Sequence, residues 1–110
     1  GGVNGLLGAL TADVRSLPEG FGLGQNYPNP FNPDTQIRYQ LPESGEVSLV
    51  VYNLLGQEVR VLVQERQEAG FYRAVWDGRD AAGRAAASGI YFYVMETGDF
   101  RQARKLLLLR

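Results

Sequence analysis

The 110-residue chain contains no cysteine and no histidine. The first absence excludes a disulfide framework and any thiolate metal centre. It leaves the compartment open, because a domain of this length buries enough surface to hold together without staples. The two absences together exclude the Ser-His-Asp and Cys-His arrangements of nucleophilic catalysis. An excess of one charge is lacking too. Eleven Lys and Arg against twelve Asp and Glu give a formal net charge of −1, which offers no electrostatic case for nucleic acid or an anionic membrane. Basic residues are scattered, apart from a small group at Arg101, Arg104, Lys105 and Arg110. No apolar run approaches the ~18 residues of a membrane span, and no signal-peptide pattern opens the chain. The sequence begins with Gly1 instead of Met, which reads as a processed product or a fragment.

Carboxylates are what remains for acid–base chemistry. Glu43, Glu46, Glu65, Glu68, Asp77 and Asp80 all fall in turns or at strand ends, where a solvated polar loop is the expectation. No catalytic residue and no cofactor are assigned. "GFGLG" at residues 20–24 has the glycines of a phosphate-binding loop but no helix after it. "DGRDAAG", Asp77 to Gly83, is the one metal-like stretch. Its two acids offer oxygens to Ca²⁺, yet Arg79 and Ala81 stand where an EF-type loop wants acids. A turn in which Asp77 and Asp80 cap backbone amides is the simpler account. Trp76 and the "YFY" of residues 91–93 resemble a stacking platform for sugars or bases. Alternation sends Tyr91 and Tyr93 to one face and Phe92 to the other, so core packing is expected instead.

Two regions of different organisation are present. Residues 1–24 hold seven glycines and read as a leader or linker. Val3, Leu6, Leu7, Leu10 and Val14 make it more apolar than a solvated linker. From residue 25 onward a proline-rich entry, "QNYPNPFNP", leads into alternating apolar and polar residues. Ile37, Tyr39 and Leu41 share one face, as do Val47, Leu49 and Val51, then Val59, Val61 and Val63. Tyr72, Ala74 and Trp76 follow, then Ile90, Phe92 and Val94, and a last stretch "ARKLLLLR". A period of two in β-branched and aromatic residues indicates half-buried strands. Glycine and Asx residues supply turns between them, at Pro42–Gly45, Asn53–Gly56, Ala69–Gly70, Asp77–Gly83, Ser88–Gly89 and Thr97–Asp99. About seven short strands with regular turns predict an all-β, immunoglobulin-like antiparallel β-sandwich over residues 25–110. A small closed barrel is the competing architecture. The three prolines between Tyr27 and Pro33 predict a stiff, polyproline-like joint that cannot add fully to a sheet, with Tyr27 and Phe31 pinning it to the sandwich edge.

Several stretches carry a family resemblance. They are NYPNPFNP (Asn26 to Pro33), I-x-Y-x-L-P (Ile37 to Pro42) and V-Y-N-L-L-G-Q-E-V (Val51 to Val59). They continue with Gly70-x-Tyr72, Trp76-Asp77-Gly78, Ser88-Gly89-Ile90-Tyr91 and the strand from Lys105 to Arg110. From about Leu17 to Arg110 the chain resembles the type A C-terminal sorting domain of the type IX secretion system. The Ig-like domain of the flagellar hook-capping protein shares the later W-D-G and S-G-x-Y-x-Y part. The resemblance implies a non-enzymatic Ig-like domain read by the outer-membrane secretion machinery, at the extracellular or outer-membrane surface of a Gram-negative-type bacterium. It points to Asn26, Tyr27, Pro28, Asn29, Pro30, Phe31, Asn32, Pro33, Gly89, Tyr91, Lys105 and Arg110 as recognition residues. Such domains are commonly removed after export, and the leader before Asn26 is the natural place for the cut. Sorting domains normally follow a large cargo, whereas here only the leader precedes. A second expectation is therefore a self-assembling extracellular filament, a homopolymer in which Val3, Leu6, Leu7, Leu10 and Val14 dock as a donor strand into the next copy.

Overall fold

Strict alternation along Thr35–Leu41 buries every second residue, so Thr35, Ile37, Tyr39 and Leu41 point inward and Gln36, Arg38 and Gln40 outward. The same rule builds most of the molecule. The computed structural model describes residues 17–110. Its strands are β1 (Gly22–Leu23), β2 (Thr35–Leu41), β3 (Gly45–Tyr52), β4 (Glu58–Gln67), β5 (Gly70–Trp76), β6 (Gly89–Thr97) and β7 (Phe100–Leu108). They form two sheets, β1-β2-β5 and β4-β3-β6-β7, with every strand pairing antiparallel. The predicted all-β sandwich is thus the observed architecture, not a closed barrel, and the two sheets face each other across one core. Ile37, Leu41, Leu49, Val51, Trp76, Tyr93, Met95 and Leu108 lie fully buried within it. Trp76 is the core plug expected of it. Its ring meets Phe31 on one side and Tyr91 on the other, at centroid distances of 5.4 and 5.2 Å.

Two strands depart from simple alternation. In β4 the faces were expected to be set by Val59, Val61 and Val63, but Val59, Leu62 and Val63 pack on the core. Register shifts between Leu49 and Val50, and again between Val51 and Tyr52, insert an extra residue opposite β3 and flip the parity. In β6 the core face is Tyr91, Tyr93 and Met95, not Ile90, Phe92 and Val94. Two tyrosines take the inward positions because each hydroxyl finds a carbonyl, Tyr91 at Ala87 (2.6 Å) and Tyr93 at Gly24 (2.7 Å).

The boundary drawn at residue 25 falls inside the packed region. Leu23 is buried in the core, and Phe21 stacks on Phe100 at 5.2 Å. Gly22 and Leu23 pair with Gln40 and Tyr39, so the sandwich includes the end of the expected leader. Gly24 permits the close approach, since a Cβ there would stand 3.1 Å from the Arg38 carbonyl oxygen. Val3, Leu6, Leu7, Leu10 and Val14 lie outside the described residues.

Candidate functional site

The proline-rich entry is not an extended strut. Tyr27 pairs with Gln36 across the three prolines, so the chain turns back on itself between them. The segment bends into a loop whose ends are tied. The Tyr27 amide donates to the Gln36 carbonyl at 2.9 Å and the Gln36 amide returns to the Tyr27 carbonyl at 2.8 Å. Asn26 closes the loop from within. Its buried side-chain amide donates to the Pro28 carbonyl and the Thr35 hydroxyl, each at 3.1 Å, while Thr35 donates to the same carbonyl at 2.7 Å. The Asn26 backbone N–H donates to the Tyr93 hydroxyl at 2.8 Å. Burial holds the Tyr93 phenol neutral and pushes its pKa up to about 12, against the opposing effects of the Asn26 amide and Arg104.

Beyond Tyr27 the loop crosses to the edge of β7. The Asn29 side-chain oxygen accepts the Leu107 amide at 3.0 Å. Phe31 forms a parallel bridge, donating its N–H to the Leu107 carbonyl and accepting the Leu109 amide, both at 3.1 Å. Pro30, which has no N–H, sits between them, so an asparagine side chain replaces the donor–acceptor pattern a regular strand would supply. Gln25 completes the row by donating to the Lys105 carbonyl at 2.8 Å. Phe31 anchors this clasp with its ring buried to 2% exposure, whereas Tyr27 stands 80% exposed and pins nothing with its side chain. The sequence expectation of two aromatic pins is therefore right for one of them.

The three stretches singled out in the sequence meet at this place. Asn29 and Pro30 from the loop, Ile90 from β6, and Lys105 and Leu107 from β7 line one shallow cleft of about 270 Å³. Ile90 faces Leu107 across the strand pair. Of the other expected residues, Pro28, Asn32 and Pro33 are exposed on the loop, Tyr91 is in the core, and Gly89 begins β6. Arg110 serves as an anchor. Its side chain donates to the carbonyls of Ala86 (2.6 Å) and Gly78, and its amide donates to the Ser88 hydroxyl at 2.9 Å. Gly78 must be glycine for this, with φ of 73° and a hypothetical Cβ only 2.8 Å from the Arg110 guanidinium. Ile90, within the Gly89–Tyr93 stretch that the resemblance points to, lines this cleft. The alternation that buries Tyr91 turns Ile90 outward.

The Asp77–Gly83 stretch is a turn of the capped kind. Asp77 accepts the Arg79 amide at 3.0 Å and the Arg60 guanidinium at 3.2 Å. Asp80 accepts the amides of Ala82 and Arg84 at 2.9 and 3.0 Å. The hydrogen bond from the Arg84 amide leads the effects that hold the Asp80 carboxyl below its ordinary range. Among the described residues no group of three or more acids, histidines or cysteines gathers into a metal-binding cluster, and no helix is long and apolar enough to cross a membrane.

Comparison with known proteins places this architecture. The solved structure of dimeric latent PorU from Porphyromonas gingivalis contains a similar fold, with a TM-score of 0.62 and 18% identity over 77% of this chain. PorZ, described as an essential surface component of the type-IX secretion system of the same organism, matches with a TM-score of 0.54 and 20% identity over 84% of this chain. The match spans only 9% and 12% of those two chains, and at these identities the likeness is one of fold. No curated protein matches the chain. Residues 30–99 match the model of the FlgD Ig-like domain, most of the sandwich from Pro30 to Asp99, and the chain belongs to that family.

Proposed function

We propose that the chain is a non-enzymatic sorting domain, recognised by the outer-membrane machinery of type IX secretion and carried to the extracellular face. One observation carries this reading. The loop, β6 and terminal-strand stretches by which the sequence resembles the type A sorting domains converge on a single cleft around Asn29, Pro30, Ile90, Lys105 and Leu107. A recognition signal needs a rigid, exposed surface, and the clasp of Asn29 and Phe31 on Leu107 and Leu109 provides it. The fold likeness to domains of PorU and PorZ supports the same context. Lys105 gives the cleft a single positive charge beside the apolar Ile90 and Leu107, a mixture suited to a protein partner with a matching acid.

The test is a reporter protein fused to the N-terminus of the full chain and expressed in a bacterium with an active type IX system. Export of the reporter to the surface or medium is expected, and a paired Ile90→Asp, Lys105→Glu variant should abolish it while keeping the far-ultraviolet circular dichroism of the folded chain. Retention of the unaltered fusion inside the outer membrane would refute the reading. So would unchanged export of the paired variant.

A further inference from the structure

Each sheet of a sandwich ends in edge strands, whose unpaired main-chain groups invite pairing with another chain. Of the four edges formed by the described residues, three are occupied or guarded at least in part. From Lys105 onward the outer edge of β7 carries the proline-rich clasp. The Leu23 carbonyl of β1 accepts the Arg104 guanidinium at 2.5 Å. The start of β4 receives a bond of 3.0 Å from the Ala81 amide to the Val59 carbonyl, and its remainder bears Glu65 and Arg66, charges of the kind that discourage strand addition.

The fourth edge, β5, carries no clasp and no bond to its outer main chain among the described residues, and Arg73 is its one charge. Among the described residues it pairs only with β2. The register shows which of its groups are free. Arg38 and Gln36 of β2 direct their carbonyls and the Gln36 amide toward the β1 side, so alternation directs Ile37 and Tyr39 toward β5. Their partners Ala74 and Tyr72 face back. The amides and carbonyls of Phe71, Arg73 and Val75 therefore point outward, with no partner among the described residues. Those same three side chains lie on the outer face of the sheet, Phe71 at 65% and Val75 at 52% exposure. Arg73 stands directly opposite Arg38. Among the described residues neither arginine is paired with a carboxylate, although like charges facing across a strand pair are unfavourable.

We propose that β5 is a docking edge for an extended segment of a partner protein, which adds as a strand and places an acidic side chain opposite Arg73 with apolar side chains two residues to either side. Charge complementarity selects this occupant. A glutamate or aspartate beside Arg73 would extend the row Arg38–Arg73 and relieve its repulsion, while the flanking apolar residues would cover Phe71 and Val75. A second copy of β5 is the poorer occupant in the register centred on Arg73, where antiparallel pairing would bring Arg73 against itself. The proposal stands apart from the export reading, whose cleft lies on the other sheet.

Nuclear magnetic resonance titration of the ¹⁵N-labelled full chain tests it. The probe is the blocked heptapeptide Thr-Val-Thr-Glu-Thr-Val-Thr, compared with the same peptide carrying Lys at its centre. Saturable shifts centred on the amides of Phe71, Arg73 and Val75 are expected, with the Glu peptide binding about tenfold more tightly than the Lys peptide. Arg73→Glu should reverse that order, and the variant should fold because it gains an oppositely charged neighbour in Arg38. The proposal is overturned if both peptides bind equally, or if the shifts fall elsewhere. It is also overturned if these three amides are already protected from exchange in the peptide-free chain.

Discussion

Two edges of this sandwich, β7 and β5, are treated in opposite ways. From Lys105 to Leu109 the outer edge of β7 is sealed by a loop that is poor at being a strand. Three prolines in seven residues cannot donate, so the seal uses one bridge at Phe31, the Asn29 side chain and the Gln25 amide. Among the described residues the other edge of β5 has no partner, and an aromatic, an arginine and a valine are displayed along it. The prolines thus mark a closed boundary along the C-terminal part of β7. A loop that satisfies its neighbour's main chain without offering a new edge of its own stops further strand addition at that side.

The largest effect that would break this comparison is loss of the anchor under the clasp. Phe31→Ala removes a buried ring packed against Trp76 and should cost about 3–5 kcal/mol of unfolding free energy in urea. Tyr27→Ala, in the same loop, should change stability by no more than about 0.5 kcal/mol. Equal effects of the two would mean that the loop is held by its backbone alone.

A smaller effect follows from Tyr93, which links the loop to the core through Gly24 and Asn26. Its folded pKa, about 12, is raised above the ordinary tyrosine value of 10.0 because burial disfavours the phenolate. The unfolded chain then releases its proton first as pH rises, so the native state holds more protons between pH 10 and 12 and stability declines across that window. Burial also raises Tyr39 and Tyr91, so Tyr93→Phe should flatten this decline and not remove it. An unchanged slope in pH-dependent urea melts would show that the phenol is not buried against the loop.

The smallest effect belongs to the open edge. Arg73→Glu converts a like-charged cross-strand pair into an opposite one and should stabilise the chain by about 0.2–1 kcal/mol at low salt, less at high salt. A loss of stability would mean that Arg73 has a partner in the native chain.

Much of this was legible in the sequence. Alternation from Thr35 to Leu41 and from Gly70 to Trp76 gave the right faces because those strands have no bulge. It failed in β4, where the register shifts opposite Leu49 and Val51 depend on pairing with β3 and leave no local mark. It misjudged β6 because hydrophobicity ranks Ile90 and Phe92 above tyrosine, whereas the choice was made by carbonyls at Gly24 and Ala87 waiting for a hydroxyl. The stretches that carry the family resemblance could be marked singly, but their meeting at Asn29, Ile90 and Leu107 is a property of tertiary packing. The polyproline expectation went wrong for a related reason. Proline specifies φ, while the loop's course is set by distant partners, Gln36 and Leu107. The Arg38–Arg73 pair was invisible without the register, since the two residues stand in separate strands with nothing in the sequence to align them.

Backbone amide hydrogen exchange on the full chain tests the contrast between the edges most directly, because both are read in one experiment. The amides of Leu107 and Leu109, donated to Asn29 and Phe31, should exchange slowly. Those of Phe71, Arg73 and Val75 should exchange at least tenfold faster, although they lie mid-strand in a sheet of the same sandwich. Rates for Leu107 and Leu109 as fast as that for Arg73 would contradict the account, because the proline-rich loop would then not be sealing its edge.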